Sequence, residues 1–354
     1  MAQQHLDPTD PTAGPVTGDA LAGYLRAQAT EFLRALRLHR ETGGASGNGT
    51  EDSVDAARAL RRSVRRISGS LHTFRPLLEA DWSEGLRPEL AWLSGTLSME
   101  HAYAARLERL LLALHRLSGA TVFPGQAAGM AAQQNAGPHT AQSATDRGNL
   151  TVGAAKAGAL LERQLTLART RAHSTALQAL GSSRFHAVAD KVAVLASEVP
   201  LTATAHTADL RTLAGAAEER LTDAVAALPL LTAGSPYNAE ALIHGLSPDP
   251  APHPQDAPWH QVRLLLRLHR YAREAIYGTG GPIDVRLLTA GQALDRHRDA
   301  SEAAAAAAAA ARTPRIAPAT AYALGVLHAD QRHEVEAARF SFQQCWEKQA
   351  VSTL

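Results

Sequence analysis

The sequence predicts an all-α fold, and three observations support this prediction. Aromatic residues make up only 5% of the 354 residues, so a core must be built mainly from Leu, Ala and Val. Long stretches of Ala, Leu, Arg and Glu lack the β-branched alternation that is typical of strands. Apolar residues also recur at helical spacing, as at Leu25, Phe32, Leu33 and Leu36.

Polar, glycine-rich and proline-containing breaks set the expected boundaries at the start of the chain. Residues 1–18 are expected to form a disordered tail, and the first helix to follow over about 19–40. Glycines at 43–49 favour a flexible linker. The next helix is expected to be weakened by Gly69 and ended by Pro76.

The middle of the chain predicts a long helix, a connection and three further helices. The long helix is expected over about 87–117, with Pro88 in its first turn, where a missing N–H is tolerated. Gly, Gln and Asn then favour a long connection over 119–149. Three helices follow, over about 152–180, 184–197 and 207–228.

Prolines between 229 and 254 favour a loop before the last three helices. The next helix is expected to begin with Asp256 as its N-cap and Pro258 in its first turn, and to end before the glycines at 278–281. Two helices are then expected over about 283–312 and 318–347, and a short tail over 348–354.

One helix carries its basic residues in register, and we call this row the cationic ladder. His260, Arg263, Arg267 and Arg270 fall at i, i+3, i+7 and i+10, so they share one helical face. No acidic residue lies between His260 and Arg273 to neutralise the row by i, i+4 pairing. Such a row suits an extended polyanion. A solvated face, or one paired with acids of another helix, is the alternative.

A second helix repeats the pattern far away in the sequence. Residues 56–78 contain no acid, and their arginines lie on one side of a helical projection. These are Arg58, Arg61, Arg62, Arg65 and Arg66. Two such helices suggest one shared basic surface. Because the formal net charge is only +1, positive and negative residues must lie on different surfaces if this one is to attract an anion.

Other functional classes find little support. Cys345 is the only cysteine, so an intrachain disulfide or a zinc–cysteine cluster is excluded and a reducing compartment is expected. The N-terminus has no signal-peptide pattern, and no apolar run approaches the length of a membrane span, which predicts a cytoplasmic, soluble protein. We find no glycine-rich phosphate loop, nucleophile elbow or carboxylate cluster for Mg²⁺. The sequence therefore predicts a binding protein that is not an enzyme, with no cofactor and no metal.

Several short motifs stand out between about residues 19 and 346. They are Phe74-Arg-Pro-Leu-Leu78, Trp92-Leu-Ser-Gly-Thr-Leu97, Ser183-Arg-Phe-His186, Trp259-His-Gln-Val-Arg263 leading to Arg270-Tyr271, and His297-Arg-Asp299. In this order they resemble the CHAD family of histidine-bearing α-helical, polyphosphate-binding domains. The resemblance implies two antiparallel helical bundles related by an approximate internal twofold, with a central basic channel for polyphosphate. It places the first half at 19–181, with the connection 119–149 inside it, and the second half at 182–347.

The resemblance carries the family's roles onto individual positions. In the second half, His260, Arg263, Arg267, Arg270 and His297 match polyphosphate-binding positions, and Asp299 would orient a neighbouring His or Arg. The first half is degenerate: Arg61, Arg65 and Arg66 meet basic positions, Arg58 stands where a histidine is usual, and Ser68 and His72 stand where arginines are usual.

Two hypotheses follow. In the first, the chain is a diverged CHAD member that binds inorganic polyphosphate without catalysis, with association with polyphosphate granules as an implied location. Nucleic acid is disfavoured as a partner because aromatic stacking residues are few. In the second, the chain is a helical scaffold that has lost polyphosphate binding and holds a protein partner. Acids such as Glu79, Asp81, Glu84 and Glu89 would then neutralise the basic rows.

Overall fold

The structure is a computed structural model that describes residues 15–43, 50–119, 140–238, 242, 246 and 253–347. Within these ranges the protein is all-α, as predicted, and β-structure is confined to an isolated bridge between Leu78 and Leu201. The α-helices are α1 (Gly18–Gly43), α2 (Thr50–Thr73), α3 (Ala80–Leu117), α4 (Thr140–Leu180), α5 (Ser183–Ser197), α6 (Leu210–Ala226), α7 (Ala257–Tyr277), α8 (Val285–Ala311) and α9 (Pro318–Glu347).

The observed boundaries agree best where a proline or a cap marks a helix end. Helix α9 begins at Pro318 and ends at Glu347, as predicted. Helix α5 is capped by Ser182, whose side chain accepts a hydrogen bond from the backbone N–H of Phe185. Helix α8 is capped by Asp284 in the same way, through the N–H of Leu287.

Two predicted boundaries were wrong. Helix α3 begins at Ala80, so Pro88 lies inside the helix and not in its first turn, and the backbone forgoes one hydrogen bond there. Helix α4 begins at Thr140, so the predicted connection 119–149 is helical in its last part. The predicted tails and linker fall mostly or wholly outside the described residues, as does the rest of that connection.

Contacts between residues divide the chain into two compact units. Unit 1 comprises Met1–Leu97, Ala176–Asp223 and Leu264–Ile283. Unit 2 comprises Ser98–Thr175, Ala224–Arg263 and Asp284–Leu354. These discontinuous units do not follow the predicted halves 19–181 and 182–347, because α3, α4, α6 and α7 each contribute residues to both. The internal twofold and the central channel stay predictions.

Unit 1 is built around the packing of α1 against α2 and α5. In α2, Leu60, Val64, Ile67 and Leu71 recur at helical spacing and are fully buried. Phe185 of α5 is fully buried in the same core. This apolar stripe forms the inner face of α2. The other faces of the helix carry the basic residues described below.

Unit 2 owes its closest helix packing to the alanine run of α8. Ala303, Ala307 and Ala310 are fully buried in one cluster with Leu324 and Leu327 of α9. Small side chains at i, i+4 and i+7 allow two helix backbones to approach closely. The alanine run therefore forms a packing face.

Candidate anion-binding groove

A groove of about 410 Å³ in unit 1 gathers basic side chains from three helices. We call it the basic groove. On α2, Arg65, Ser68 and His72 lie at i, i+3 and i+7 and so share a face. Arg87 of α3 and Arg267 of α7 complete its charged lining. Two helices that were predicted to share a basic surface therefore both contribute to one site within this unit.

Gly69 lets Tyr271 of α7 lie directly against α2. A Cβ atom at Gly69 would lie 2.5 Å from Cδ2 of Tyr271, which is closer than a Cβ contact allows. Gly69 was predicted to weaken this helix, but α2 continues without a break to Thr73. The sequence did not indicate the close approach of Tyr271. Gly69 and Tyr271 both line the basic groove, so this close approach shapes its floor.

Two neighbouring depressions extend the basic groove and share residues with it. One has a volume of about 560 Å³ and adds Arg75 and Arg220 beside His72 and Arg87. Glu219 and Asp223 also line this depression and reduce its positive charge. The other is lined by Ser68, Arg75, Glu84, Arg87, Pro88 and Ala91.

The guanidinium groups here differ in how far they are neutralised. Arg75 pairs with Glu84. Arg65 donates from Nε to the Ser94 hydroxyl at 3.3 Å. Arg87 and Arg220 form no ion pair with any carboxylate in the described part of the chain: Arg87 contacts His72, and Arg220 donates from Nε to the Ala216 carbonyl.

His72 lies among these guanidinium groups, which disfavour its protonated form. Its Nδ1 atom is 3.1 Å from Nη2 of Arg87, and since a guanidinium only donates, Nδ1 must accept. The side chain is exposed overall, but partial desolvation of the ring lowers the pKa of His72, and the charges of Arg87, Arg220 and Arg75 lower it further. Sequence reasoning missed His72 and Arg87 as a pair, although the helical spacing of Arg65, Ser68 and His72 was visible.

The predicted residues of α2 have diverse surroundings. Arg65 lines the basic groove. Arg58 is exposed and pairs with Asp55 at 2.8 Å. Arg66 donates to both carboxylate oxygens of Glu274, at 2.6 and 3.3 Å. Arg61 is partly buried. Only part of the predicted row therefore faces the groove.

The cationic ladder on α7 is likewise divided by its contacts. Arg267 lines the basic groove. In unit 2, Arg263 is mostly buried and donates from Nε to Asp295 at 2.6 Å. His260 is partly buried, and its pKa is lowered, chiefly by burial. Arg270 is partly exposed. The shared helical face is present, but the ion pair with Asp295 shows that the row is not wholly open.

His297 lies in the core of unit 2. Its side chain is 1% exposed, and its ring stacks on Trp259 with centroids 5.6 Å apart. Burial lowers the pKa of His297 well below its ordinary value, and the charge of Arg339 adds to this. A side chain so enclosed has no surface on which to contact a polyanion. Asp299 accepts a hydrogen bond from Arg298 at 2.9 Å, which fits its predicted role of orienting a basic neighbour.

A buried carboxylate organises the surroundings of His297. Asp256 is fully buried and accepts hydrogen bonds from Arg332 at 2.8 and 3.2 Å and from Arg339 at 2.7 Å. Burial alone would raise the pKa of Asp256, but Arg332, with His297 and Ser301, holds it far below its ordinary value. Asp256 directly precedes the first residue of α7, as predicted for an N-cap, and its carboxylate accepts from Ser301 and from the two guanidinium groups.

The described residues offer neither a metal site nor a membrane-spanning helix. No group of three or more His, Cys, Asp or Glu side chains there could hold a metal ion. None of the helices in the described ranges is long and apolar enough to cross a membrane.

Comparisons with known proteins identify the family. The CHAD domain family model matches residues 27–306. The solved structure of PptA from Streptomyces chartreusis is 72% identical, with a TM-score of 0.76, over 94% of this chain and 100% of that chain. The crystal structure of the CHAD domain from the plant Ricinus communis is 17% identical, with a TM-score of 0.48, over 93% of this chain and 92% of that chain. A search of curated proteins returned no match. Because the family model covers most of the sequence, the resemblance is confirmed and the chain belongs to the CHAD domain family.

Proposed function

We propose that the chain binds inorganic polyphosphate, without transforming it, in the basic groove of unit 1. One observation carries this proposal beyond family membership. Five guanidinium groups from four segments of the chain line the basic groove and its extensions, and two of them, Arg87 and Arg220, have no carboxylate partner among the described residues. The five are Arg65, Arg75, Arg87, Arg220 and Arg267.

The chemistry of the groove suits a phosphate chain. Each guanidinium presents planar donors that match two nonbridging oxygens, so arginine binds phosphate in a bidentate manner. Successive guanidinium groups can then follow successive phosphates of a flexible chain. Serine hydroxyls at Ser68 and Ser94 add neutral donors at the groove wall. Each phosphate contact displaces counterions, so affinity should fall steeply as salt increases.

Arg65 and Arg267 line the basic groove and are assigned as direct ligands. Arg58 and Arg66 would first have to exchange a carboxylate for phosphate, so they act as a weaker outer set. A ligand role for Arg263, which pairs with Asp295 in unit 2, stays a prediction. Roles for Arg61, Arg270 and His260 stay predictions. His297 acts through the packing of unit 2.

The absence of catalysis and the cellular location belong to the same proposal. A groove of arginines can hold a polyanion, whereas hydrolysis of polyphosphate needs an activated nucleophile and a means of stabilising the leaving group. Binding without turnover fits a cytoplasmic protein that associates with polyphosphate granules.

The scaffold alternative is favoured by a specific observation. Carboxylates neutralise several basic residues that sequence reasoning placed in the site, including Arg66 through Glu274 and Arg263 through Asp295. Of the acids expected to do this, Glu84 pairs with Arg75, whereas Glu89 pairs with Arg184 on α5. In this alternative the groove would receive an acidic segment of a protein partner.

A direct binding experiment tests the proposal. Long-chain polyphosphate is titrated into the whole protein between about 50 and about 300 mM salt, with release of orthophosphate followed in parallel. We expect binding that weakens linearly on a log–log plot against salt, and no phosphate release. Failure to bind even at the lowest salt would refute polyphosphate binding and leave the scaffold alternative. Steady release of phosphate would refute the absence of catalysis.

A further inference from the structure

We propose that His72 is a protonation-dependent ligand of the basic groove, so that polyphosphate binding takes up a proton and strengthens as the pH falls. This inference rests on the proposed function of the groove. It assigns a role to a histidine of this chain that lines the groove.

The position of His72 is the first support. It lines both the basic groove and the adjoining depression that contains Arg75 and Arg220, as Arg87 also does. A phosphate chain that passes from one to the other must cross this pair. The His72 side chain is exposed, so a ligand can reach it.

The contact with Arg87 gives His72 two distinct states. In the neutral ring, Nδ1 accepts from Nη2 of Arg87, which leaves only the Nε2–H to donate to an anion. In the protonated ring, both nitrogens donate, and Nδ1–H can no longer accept from the guanidinium. Protonation therefore adds one donor on His72 and releases one N–H of Arg87, and both become available to phosphate oxygens.

The charged groups around His72 explain why an anion would cause this change. Arg65 and Arg75 belong to the same segment, Arg87 approaches from α3, and Arg267 from α7. Helix α6 contributes Arg220 together with Glu219 and Asp223. Glu84 of α3 pairs with Arg75 in the neighbouring depression and neutralises part of this charge. Guanidinium groups outnumber carboxylates among these neighbours, so the field disfavours a further positive charge, and the pKa of His72 is lowered accordingly.

A bound polyphosphate chain reverses this field. Its negative charges favour the protonated ring and raise the pKa of His72 in the complex above that in the free protein. Between the two pKa values the complex holds one more proton than the free protein. Affinity must therefore rise as the pH falls through this interval, by up to about tenfold per pH unit for one proton.

Three variants are compared with the unmodified protein to test the inference. Binding of long-chain polyphosphate is measured by calorimetry between about pH 8 and about pH 5.5 at constant ionic strength, in buffers of different ionisation enthalpy, to count protons. His72→Gln keeps the site neutral, and His72→Arg keeps it charged. His186→Gln is the control, since His186 is an exposed histidine of the same unit whose Nδ1 lies 2.7 Å from the Ser182 carbonyl oxygen.

We expect the unmodified protein and His186→Gln to gain affinity at low pH with net proton uptake. His72→Gln should lose most of that gain, and His72→Arg should bind at pH 8 about as tightly as the unmodified protein binds at low pH. Titration of the phosphate chain itself is common to all forms and cancels in the comparison. An unchanged pH dependence in both His72 variants, with binding retained, would refute the role of His72. Loss of binding in every form at every pH would instead refute the function of the groove.

Discussion

Replacing Asp256 by Asn should destabilise unit 2 strongly. The substitution preserves the size of the side chain but removes the charge that two guanidinium groups share. Arg332 and Arg339 have side chains only 3% and 6% exposed, so water cannot replace the lost carboxylate. Arg339 keeps a second buried partner, Glu336, at 2.7 Å, so the cost falls chiefly on Arg332. Breaking a buried ion pair by removing one partner costs about 3–5 kcal/mol. Since total stabilities are about 5–15 kcal/mol, this is a large fraction of the whole.

Urea unfolding followed by tryptophan fluorescence and by far-UV circular dichroism measures this cost. Asp295→Asn is the matched control, because Asp295 pairs with Arg263 in the same unit but is half exposed. Although Arg263 is mostly buried, water can replace part of the interaction lost at the half-exposed Asp295, so this variant should lose less free energy of unfolding than Asp256→Asn. If Asp256→Asn changed the free energy of unfolding by no more than Asp295→Asn, the buried network would not have the structural role assigned to it.

The remaining predictions concern acid stability and the shape of the groove. The folded-state pKa of His297 lies well below its unfolded value of about 6.5, so below that pH the unfolded chain binds a proton that the folded chain does not. Stability should therefore fall as the pH drops below about 6.5, by up to about 1.4 kcal/mol per pH unit for this residue. His297→Gln should flatten that slope in urea titrations at several pH values, and an unaltered slope would count against the assigned pKa. Gly69→Ala should cost about 1–3 kcal/mol through its clash with Tyr271, whereas Gly85→Ala on α3, where an added Cβ meets nothing within 4 Å, should be neutral or stabilising. Equal melting temperatures for the two alanine variants would contradict the close packing at Gly69.

The sequence predicts the helices because local signals determine them. The bounds predicted for helix α9, about 318–347, agree with the observed helix, since Pro318 marks its start. Local signals failed at Pro88, where the helix continues through a proline. Around this proline, Leu86, Leu90 and Leu93 are all fully buried in the core of unit 1. This tertiary packing holds the helix together, and local sequence signals do not report it.

The candidate site was predicted in outline because helical periodicity locates a basic face. Arg65 and Arg267 were both predicted from spacing, and both line the basic groove. Periodicity does not reveal which acids from distant segments reach that face, so the pairing of Arg66 with Glu274 and of Arg263 with Asp295 was missed. Each of these pairs joins different helices and depends on the tertiary fold.

The buried residues show a further limit of prediction from sequence motifs, which do not reveal whether a side chain is accessible. His297 was assigned to the ligand because its motif resembles the family's, yet it is enclosed beside Asp256. One signal was available in retrospect: Arg332 and Arg339 lie seven residues apart and so share one face of α9. Two buried arginines require a buried acid, but the sequence does not say which of its acids that is.

The most direct test of the central claim compares two double variants that remove equal charge. Arg87→Gln with Arg267→Gln removes two guanidinium groups of the basic groove, and Arg34→Gln with Arg37→Gln removes two exposed ones from α1. Polyphosphate affinity is measured across a salt series for both and for the unmodified protein, with circular dichroism to verify folding. We predict that the groove variant loses affinity and that its log–log salt slope falls by about 1.4, by analogy with about 0.7 per phosphate contact of single-stranded nucleic acid. We predict that the α1 variant stays close to the unmodified protein. Equal losses in the two folded variants would show that net charge, and not the basic groove, attracts the anion, and would contradict the account.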